Sequence, residues 1–439
     1  MAENETSRDI AFFAGAGFCM NTLSTIENRS VLLIRNRAIH FLIASLLLAF
    51  GTTLRSAEVD SKASAEIVLG MSTALSGPAE ALGKDMREGV LAGLERANRA
   101  GGVNGRKLRL VALDDGYEPS RTAPNMRQLL GKENVLAVIG NVGTPTAIVA
   151  IPIAMEQKTL FFAAYTGGGV LRNKPPDRYV INYRASYAEE AGTMLDGLLD
   201  DLGFKPEEVA FFTQRDGYGD AGFNGGIAAL KRHGLKDEKA ILHVRYERNT
   251  LAVENAVASL ILAEHPPRAI VMVGVYAPCA KFIQQCREAG LRALFLNVSF
   301  VGSIPLAKEL GKTDAAVIVT QVVPSPLDMS LPIVREYVAD LQALDSSVTP
   351  SFGDLEGYIA ARIFIKALEQ IKGVPTRESI VDALEGLGKF DIGLGEPLDL
   401  GPEEHQACHR VWPTILKNGA FTPFQWKDIA RLAKEDFGP

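Results

Sequence analysis

Two loops that are rich in hydroxyl groups and glycine could bind an anion. Residues 140–146 read Gly-Asn-Val-Gly-Thr-Pro-Thr, and residues 164–169 read Ala-Tyr-Thr-Gly-Gly-Gly. We expect a helix to begin near Thr146, capped by its hydroxyl, so that its free N–H groups and that of Thr144 face a carboxylate. The alternative interpretation is that both loops are ordinary turns in which glycine and proline only shape the backbone.

Each loop follows a short apolar run that has the composition of a strand buried on both faces. The runs are residues 136–139, Leu-Ala-Val-Ile, and residues 160–163, Leu-Phe-Phe-Ala. Continuous runs of this kind are typical of parallel sheets. In an open α/β sheet, ligands sit beyond the carboxyl ends of the strands, so the two loops together indicate one wall of a binding site.

Motifs of catalysis do not accompany these loops. No G-x-G-x-x-G follows the first predicted strand, and the sequence contains neither a P-loop nor a G-x-S-x-G nucleophile turn. His405 and His409 have the spacing of a metal-binding pair on a helix, but we interpret this stretch as a solvated tail. We therefore expect a protein that is not an enzyme and that binds neither a cofactor nor a metal.

Length and composition indicate a globular protein of two or three domains. The chain has 439 residues, of which 47% are hydrophobic and 22% are charged. Its net charge is −6 and it has no long basic run, which argues against binding to nucleic acid.

A short apolar segment near the N-terminus predicts export. Arg35 and Arg37 precede about ten apolar residues, too few to span a bilayer comfortably, and small and polar residues follow. This order is typical of a secretory signal, so we expect a periplasmic protein whose signal peptide occupies residues 31–51 or extends to residue 65. The alternative is a signal anchor or an amphipathic tether.

Three cysteines follow this segment, namely Cys279, Cys286 and Cys408. The first two lie about 10 Å apart along the axis of one predicted helix, so they cannot form a disulfide with each other. Either could pair with Cys408, but buried inert thiols are the simpler interpretation. No spacing of histidine and cysteine indicates zinc.

The chain from Glu66 onward alternates between apolar runs and helical patterns, which predicts two successive α/β units with doubly wound parallel sheets. In the first unit we expect strands at 66–73, 108–113, 136–139 and 160–163 and helices at 84–100, at 119–130 and from about 146. In the second we expect strands at 208–212, 241–246, 269–273, 294–297 and 315–322 and helices at 187–202, 222–232, 253–263 and 278–289. Helices at 331–344, 355–371 and 377–384 and a strand at 411–416 follow. Two such units without a linker suggest two lobes with a ligand site in the crevice between them.

Several motifs, in this order and spacing, resemble the periplasmic solute-binding proteins of ABC transporters, in the branch typified by the leucine/isoleucine/valine-binding protein. They run from Glu66 to about Pro423 and include LSGPAEALG, GGVNGRKL, VIGNVGTPTAIVAIPIA, FFAAYTGGG, RDGYGDAG, VMVGVYAPCAKFIQQCREAGL, LEGYIAARIFIKAL and HRVWPTILKNGAF. Each motif is weak alone, and together they are specific for the family rather than for one ligand.

The resemblance implies two Rossmann-like doubly wound lobes joined by a multi-strand hinge, the type I periplasmic binding protein fold. It implies a leader and signal peptide at 1–65, a first ligand-binding lobe at 66–184 plus about 324–395, and a second at 185–323 plus about 396–439. The implied function is capture of a small carboxylate or amino-acid-like ligand, as in branched-chain amino-acid transport, and delivery to the membrane permease of an ABC transporter. The implied oligomeric state is a monomer.

The resemblance also implies site residues in the first lobe. Thr144 falls where a loop hydroxyl meets the ligand carboxylate, and Thr166 falls where a threonine contacts both ends of the ligand. Ala164 falls where a backbone carbonyl accepts from the ligand ammonium, with Tyr165 beside it in the same loop. Leu82 lies in the first loop, where family members often have an aromatic residue over the ligand.

From the second lobe, the resemblance implies that Tyr218 and Tyr276 close over the ligand. An aromatic lid excludes water and so strengthens the polar contacts beneath it. Without the resemblance, each tyrosine would be interpreted as a half-buried core residue.

One position departs from the family pattern. Branched-chain amino-acid binders place a glutamate in the loop after the strand that ends near Asn297, and this chain has Ser299 there. A buried ammonium without a charged partner is costly, so either another acid replaces this glutamate or the ligand has no ammonium. Candidate acids are Asp216, Asp354 and Glu356, although such residues near helix starts often serve as caps. The ligand could thus be an amino acid, an organic acid or an amide.

The main alternative function is a ligand-sensing regulator or receptor module on the same fold, responsive to amides or amino acids. The predicted export signal argues against a cytoplasmic regulator. We expect no later membrane span and no output domain, which argues against a receptor.

Overall fold

A computed structural model of the chain describes residues 66–430, so the predicted leader and signal peptide lie outside the described residues. The strands are β1 Ile67–Thr73, β2 Leu108–Asp114, β3 Ala137–Ile139, β4 Leu160–Phe162, β5 Val180–Ile181, β6 Val209–Gln214, β7 His243–Tyr246, β8 Ala269–Val273, β9 Leu294–Asn297, β10 Val317–Gln321, β11 Gly388–Phe390, β12 Leu398–Leu400, β13 Trp412–Lys417 and β14 Ala420–Pro423. The helices are α1 Glu80–Arg99, α2 Pro119–Gly131, α3 Thr144–Glu156, α4 Tyr187–Asp196, α5 Gly217–Arg232, α6 Glu254–Ile261, α7 Tyr276–Glu288, α8 Ser303–Leu310, α9 Pro332–Leu344, α10 Phe352–Glu369 and α11 Arg377–Glu385.

The first sheet has five parallel strands in the order β2-β1-β3-β4-β5. Its central strands β3 and β4 are fully buried, as expected for a sheet covered by helices on both faces. Val138 pairs with Phe161 in this sheet, so the loops that follow β3 and β4 leave the sheet side by side.

The second sheet has seven strands in the order β14-β13-β10-β9-β8-β6-β7. The strands from β10 to β7 are parallel, and the hairpin β13-β14 adds to β10 in the antiparallel direction. In the first sheet the strand order changes direction between β1 and β3, and in the second sheet it changes direction between β6 and β8, as in other doubly wound folds. The predicted α/β fold class is therefore confirmed.

Three segments of the described chain run between the two sheets and lie next to one another. Asn182 donates its N–H to the carbonyl of His405 (2.7 Å), and Cys408 donates to the carbonyl of Tyr183 (2.8 Å). The Tyr183 hydroxyl donates to the carbonyl of Val322 on the third segment (3.1 Å). These hydrogen bonds join the segments into one multi-strand hinge.

After the second sheet the chain returns to the first one. Helix α10 packs along α1, α9 also contacts α1, and α11 contacts β4. We call the first sheet with these helices the first lobe, and the second sheet with its helices the second lobe. Lobe boundaries at 66–184 plus about 324–395, and at 185–323 plus about 396–439, remain a proposal.

Several helices begin earlier than the sequence pattern predicts. Helix α1 begins at Glu80 rather than Lys84, so Leu82 lies in its first turn and not in a loop. Helix α5 begins at Gly217 rather than Gly222, because the Asp216 side chain caps it by accepting from the N–H of Tyr218. Helix α8 was not predicted, since Gly302 and the proline in its first turn read as a loop.

Between residues 66 and 430, every helix is too short or too polar to cross a membrane.

Candidate functional site

Two threonines of the first lobe meet at the carboxyl ends of β3 and β4. The Oγ1 atoms of Thr144 and Thr166 lie 2.6 Å apart, and both residues are buried. A parallel bridge between Val142 and Tyr165 holds the two loops together. Thr166 Oγ1 also lies 3.2 Å from the Tyr187 hydroxyl and accepts from the N–H of Gly168 (3.1 Å). The predicted wall of hydroxyl groups therefore forms as a contiguous cluster.

Helix α3 begins at Thr144 with Gly143 as its N-cap. Gly143 has φ of +101°, and a Cβ at this position would lie 2.1 Å from the ring of Tyr117. Glycine is thus required for the tyrosine ring to approach the helix start. The prediction that the Thr146 hydroxyl caps the helix was wrong. Because the helix begins two residues earlier, Thr146 Oγ1 instead donates to the carbonyls of Val142 and Gly143.

An aromatic cluster lies opposite the threonines. Phe300 of the second lobe packs against Tyr218 of its own lobe and against Tyr117 and Tyr165 of the first lobe, with ring centroids 4.7, 5.9 and 5.6 Å apart. Tyr187, whose hydroxyl touches Thr166, packs on Tyr218 at 5.1 Å. Since all five rings are buried, they exclude water from the space around the hydroxyl groups.

A buried charge cluster adjoins the rings on the hinge side. The Arg184 guanidinium lies 4.9 Å from the ring centre of Tyr165 and contacts Ser299 Oγ and Glu190. Glu190 Oε2 accepts from the N–H of Ser299 (2.7 Å) and from Thr320 Oγ1 (2.8 Å), and its Oε1 accepts from Ser299 Oγ (3.0 Å). An acid therefore does reach the loop of Ser299, but it comes from helix α4.

Glu356 on α10 is the third charge of this cluster. Its Oε1 lies 3.5 Å from Arg184 Nη1, and the residue is buried. Burial raises the pKa of Glu356 to about 7, with Arg184 opposing the shift and Glu190 adding to it. Burial alone lowers the pKa of Arg184, but Glu356 and Glu190 more than offset this, so the guanidinium stays charged. Burial also raises the pKa of Glu190.

Leu82 and Tyr276 lie together at a second place, around Gly302. A Cβ on Gly302 would lie 2.6 Å from Leu82 Cδ2 and 3.5 Å from Tyr276 Cδ1. Gly302 ends the short turn that carries Ser299 and Phe300, so this contact and the aromatic cluster are two ends of one loop. Leu82 comes from the first lobe and Tyr276 from the second, which makes the contact part of the closure between lobes.

The remaining predicted residue, Ala164, is buried among apolar side chains of the first lobe. Its carbonyl accepts from the N–H of Thr166 at 2.7 Å. The structure thus brings Thr144, Tyr165, Thr166, Tyr218 and Ser299 into one buried cluster where the lobes meet, and it places Leu82 and Tyr276 at Gly302. Sequence reasoning missed Arg184, Glu190, Tyr117, Tyr187 and Phe300, which come from segments without a recognisable motif. It named Glu356 only as a substitute acid.

Polar contacts also bridge the lobes beside the cleft. Gln214 Nε2 donates to the Tyr117 hydroxyl (3.1 Å), and Arg248 Nη2 donates to Glu118 Oε2 (2.8 Å). Asn249 Nδ2 donates to Glu118 Oε1 (2.5 Å). These bonds hold the two lobes against each other.

The histidine and cysteine predictions have different outcomes. His405 is buried in the hinge, where Nδ1 lies 2.9 Å from the carbonyl of Val180, so the solvated-tail interpretation was wrong for it. His409 is more exposed and pairs with Glu189 (2.6 Å). Cys279, Cys286 and Cys408 are buried free thiols, which rules out the pairings with Cys408 in this structure. Between residues 66 and 430, no group of three or more His, Cys, Asp or Glu residues could hold a metal ion.

A groove lies at the amino ends of the parallel strands of the second sheet. It has a volume of about 1180 Å³ and is lined by residues such as His243, His265 and Arg292. These residues precede or begin strands, whereas ligands of open α/β sheets bind at the carboxyl ends. The buried cluster between the lobes, which lies at the carboxyl ends of the strands, therefore remains the better candidate site.

Comparisons with known proteins agree with this geometry. The sequence model of the periplasmic binding protein family matches residues 66–420. A Leu/Ile/Val-binding protein homolog 7 of Brucella abortus is 25% identical over 362 residues, which covers 79% of this chain and 88% of that protein. A Leu/Ile/Val-binding protein homolog 3 of Brucella melitensis is 26% identical over 250 residues, 57% of this chain. That match spans 64% of the relative, slightly less than two thirds of its length.

Among solved structures, a possible leucine/isoleucine/valine-binding protein from Rhodopirellula baltica has 50% sequence identity and a TM-score of 0.80. The match covers 82% of this chain and 97% of that one. The match to the family model and the two-lobed fold of the solved relatives agree with each other. The chain belongs to the periplasmic binding protein family.

Proposed function

We propose that this protein is an extracytoplasmic solute-binding protein that captures a small carboxylate or amino-acid-like ligand between its two lobes and delivers it to the permease of an ABC transporter. The observation that carries the proposal is the pair of hydroxyls on Thr144 and Thr166, which lie 2.6 Å apart at the start of helix α3 and beside the Tyr187 hydroxyl. The names of the Brucella relatives support a ligand of the amino-acid class.

The chemistry of the wall suits a carboxylate. Thr144 begins a helix, where backbone N–H groups without an intrahelical partner and the helix dipole favour a negative charge. The hydroxyls of Thr144 and Thr166 are donors that can turn toward a carboxylate oxygen. The apolar rings around them lower the local dielectric, which strengthens these hydrogen bonds.

The aromatic cluster supports closure on the ligand. Phe300 belongs to the second lobe and packs against two tyrosines of the first, so opening of the lobes would separate these rings. A ligand that binds both lobes stabilises the closed form and shifts the population toward it. The permease would then recognise the closed form.

Export to the periplasm, a monomeric state and the lobe boundaries given above belong to the same proposal. Two measurements test export and the monomeric state. N-terminal sequencing of protein from the periplasmic fraction gives the cleavage site, which we expect at or before residue 65, and light scattering gives the mass. Full-length chain in the cytosol would instead favour a ligand-sensing regulator.

A thermal-shift screen against amino acids, organic acids and amides tests the binding function. A ligand that binds only the native state at 100 times its Kd stabilises the fold by about 2.7 kcal/mol. We expect at least one small carboxylate to raise the Tm in this way. If no compound of the three classes raises the Tm, the binding proposal is wrong. Uptake of the identified ligand by cells with and without the gene then tests delivery to a transporter.

A further inference from the structure

Arg184 is a buried cation in the wall of the candidate site. It lies on the hinge segment after β5 with 1% of its surface exposed, between the rings of Tyr165 and Tyr187. The Tyr187 hydroxyl lies 3.2 Å from Thr166 Oγ1, so Tyr187 adjoins both the threonine pair and the guanidinium. A ligand held by the threonines would therefore lie close to Arg184.

The hydrogen-bond donors of Arg184 are only partly used. Nη2 contacts Ser299 Oγ and Glu190 Oε1, whereas Nε and Nη1 are buried and have no acceptor among the described residues. Glu356 lies 3.5 Å from Nη1 and forms an ion pair without a hydrogen bond. Buried charged donors without acceptors are rare and costly in proteins. We therefore expect these N–H groups to donate to an oxygen of the ligand.

The neighbouring acid cannot serve a ligand ammonium instead. Glu190 accepts from the N–H and the hydroxyl of Ser299, from Thr320 and from Arg184. A carboxylate has about four lone-pair sites, and these contacts use them. At the position where amino-acid binders of the family place an acid, this chain therefore presents a serine with a guanidinium against it.

We propose that Arg184 binds an oxygen on the carbon next to the ligand carboxylate, so that the ligand is a 2-oxo or 2-hydroxy acid rather than an α-amino acid. An ammonium at this carbon would lie against the guanidinium, whereas a carbonyl or hydroxyl oxygen accepts from Nε or Nη1. The inference rests on the proposed function, because it assumes that the carboxylate lies on Thr144 and Thr166.

Matched ligand pairs test the inference in the unmodified protein. Calorimetry at pH 7 would compare pyruvate with alanine, 4-methyl-2-oxopentanoate with leucine, phenylpyruvate with phenylalanine and 2-oxoglutarate with glutamate. Each pair shares its side chain, so a difference in Kd reports the group on C2 alone. For the pairs that bind, we expect the 2-oxo acid to bind at least about tenfold tighter.

Equal or tighter binding of the amino acids would overturn the inference and leave the proposed function intact. If no compound of either series binds, and none of the matching 2-hydroxy acids binds, the inference is wrong, whereas the proposed function is wrong only if the thermal-shift screen also finds no ligand. An amino-acid preference that Glu356→Gln abolishes would identify Glu356 as the ammonium partner and would likewise overturn it.

A double variant checks that Arg184 causes the preference. Arg184→Gln with Glu190→Gln removes one positive and one negative charge, so the net charge of the buried cluster with Glu356 does not change. We expect the preference for 2-oxo acids to fall to less than about threefold. Arg362→Gln with Glu336→Gln removes a partly exposed ion pair elsewhere in the first lobe and should leave the preference unchanged. A preference that persists in the first double variant contradicts the inference, and the ligand pairs decide it even if that variant does not fold.

Discussion

The hydroxyl groups of Thr144 and Thr166 lie 2.6 Å apart although the residues are 22 positions apart in the sequence. They meet because β3 and β4 are parallel neighbours and the loops after them are bridged at Val142 and Tyr165. Each hydroxyl is buried beside the start of a helix. Under the proposed function, these two hydroxyls donate hydrogen bonds to one carboxylate.

Thr166→Ala should weaken ligand binding by about 10- to 100-fold. The variant removes one hydrogen bond to a charged group, which is worth about 1.5–3 kcal/mol. Isothermal titration calorimetry with the ligand found by thermal shift measures the change in Kd. The fold should survive, since the Thr166 side chain contacts loop atoms and Tyr187 rather than the apolar core.

Thr159→Ala is the matched control for this prediction. Thr159 is also a buried threonine of the same α3–β4 unit, but its hydroxyl donates to the carbonyl of Gln157 at the far end of the helix. The Thr159→Ala substitution should change the free energy of unfolding slightly and leave the Kd of the ligand unchanged. Equal affinities in wild type, Thr166→Ala and Thr159→Ala would remove Thr166 from the site.

Gly302→Ala should hinder closure of the lobes. Its Cβ would lie 2.6 Å from Leu82 Cδ2 on the other lobe, so the lobes must part or the leucine must move. We expect the Kd to rise by about tenfold or more, because less of the protein populates the binding-competent form. Small-angle scattering of the ligand-saturated variant should give a larger radius of gyration than that of the wild type.

Gly311→Ala separates this clash from backbone strain. Gly311 also has a positive φ, of +58°, but nothing lies within 4 Å of its Cβ position. Both substitutions therefore strain the backbone, and only Gly302→Ala obstructs the other lobe. If the two variants lose the same affinity, strain rather than closure accounts for the effect.

Most of the fold could be predicted from the sequence. Strands at 269–273 and 294–297 were predicted with the observed bounds, because buried parallel strands are continuous apolar runs. Helix starts were predicted less well. Gly217 begins α5, although the glycines in its first turn read as loop residues, and Tyr276 begins α7 two residues before the predicted start at Pro278.

The site was predictable only where it follows strand ends. Thr144 and Thr166 each come just after a recognisable apolar run, so the topology alone brings them together. Arg184, Glu190 and Glu356 instead lie on the hinge, on α4 and on α10, and they meet through the packing of distant segments. The spacing of these residues in the sequence therefore does not predict that they contact one another.

Glu118→Gln should shift the lobes toward the open form. Glu118 of the first lobe binds Arg248 and Asn249 of the second, and both charges of the ion pair are partly exposed. Such a pair contributes about 0.5–1 kcal/mol, so we expect a two- to fivefold rise in Kd that shrinks in high salt. Calorimetry at low and high ionic strength measures the rise in Kd and its dependence on salt.

Glu208→Gln serves as the control for this ion pair. Glu208 and Arg268 form an ion pair with the same N–O distance, 2.8 Å, and similar exposure, but both residues belong to the second lobe. Its removal should leave the Kd unchanged at any salt concentration. A salt-dependent loss of affinity in both variants would mean that net charge, and not the bridge between lobes, controls binding.

Glu356→Gln should remove a pH dependence from the stability of the ligand-free protein. The pKa of Glu356 is raised from 4.5 to about 7, chiefly by burial, while the facing charges of Arg184 and Arg172 lower it and that of Glu190 raises it. A raised pKa means that the folded state holds the proton more tightly than the unfolded state does. The resulting stability is fully present below pH 4.5 and is lost as the pH rises to about 7.

The size of this loss follows from the rise of the pKa from 4.5 to about 7, at about 1.4 kcal/mol per pKa unit, and amounts to roughly 3–4 kcal/mol. Chemical denaturation of wild type and variant at one-unit steps from pH 4 to pH 9 measures it, and the difference between the two curves cancels the other titrating groups. We expect the wild type to lose stability relative to the variant between pH 4.5 and 7 and the difference to stay constant above. Parallel curves throughout would mean that Glu356 keeps an ordinary pKa in the fold, and the buried charge cluster would then carry one more negative charge at neutral pH.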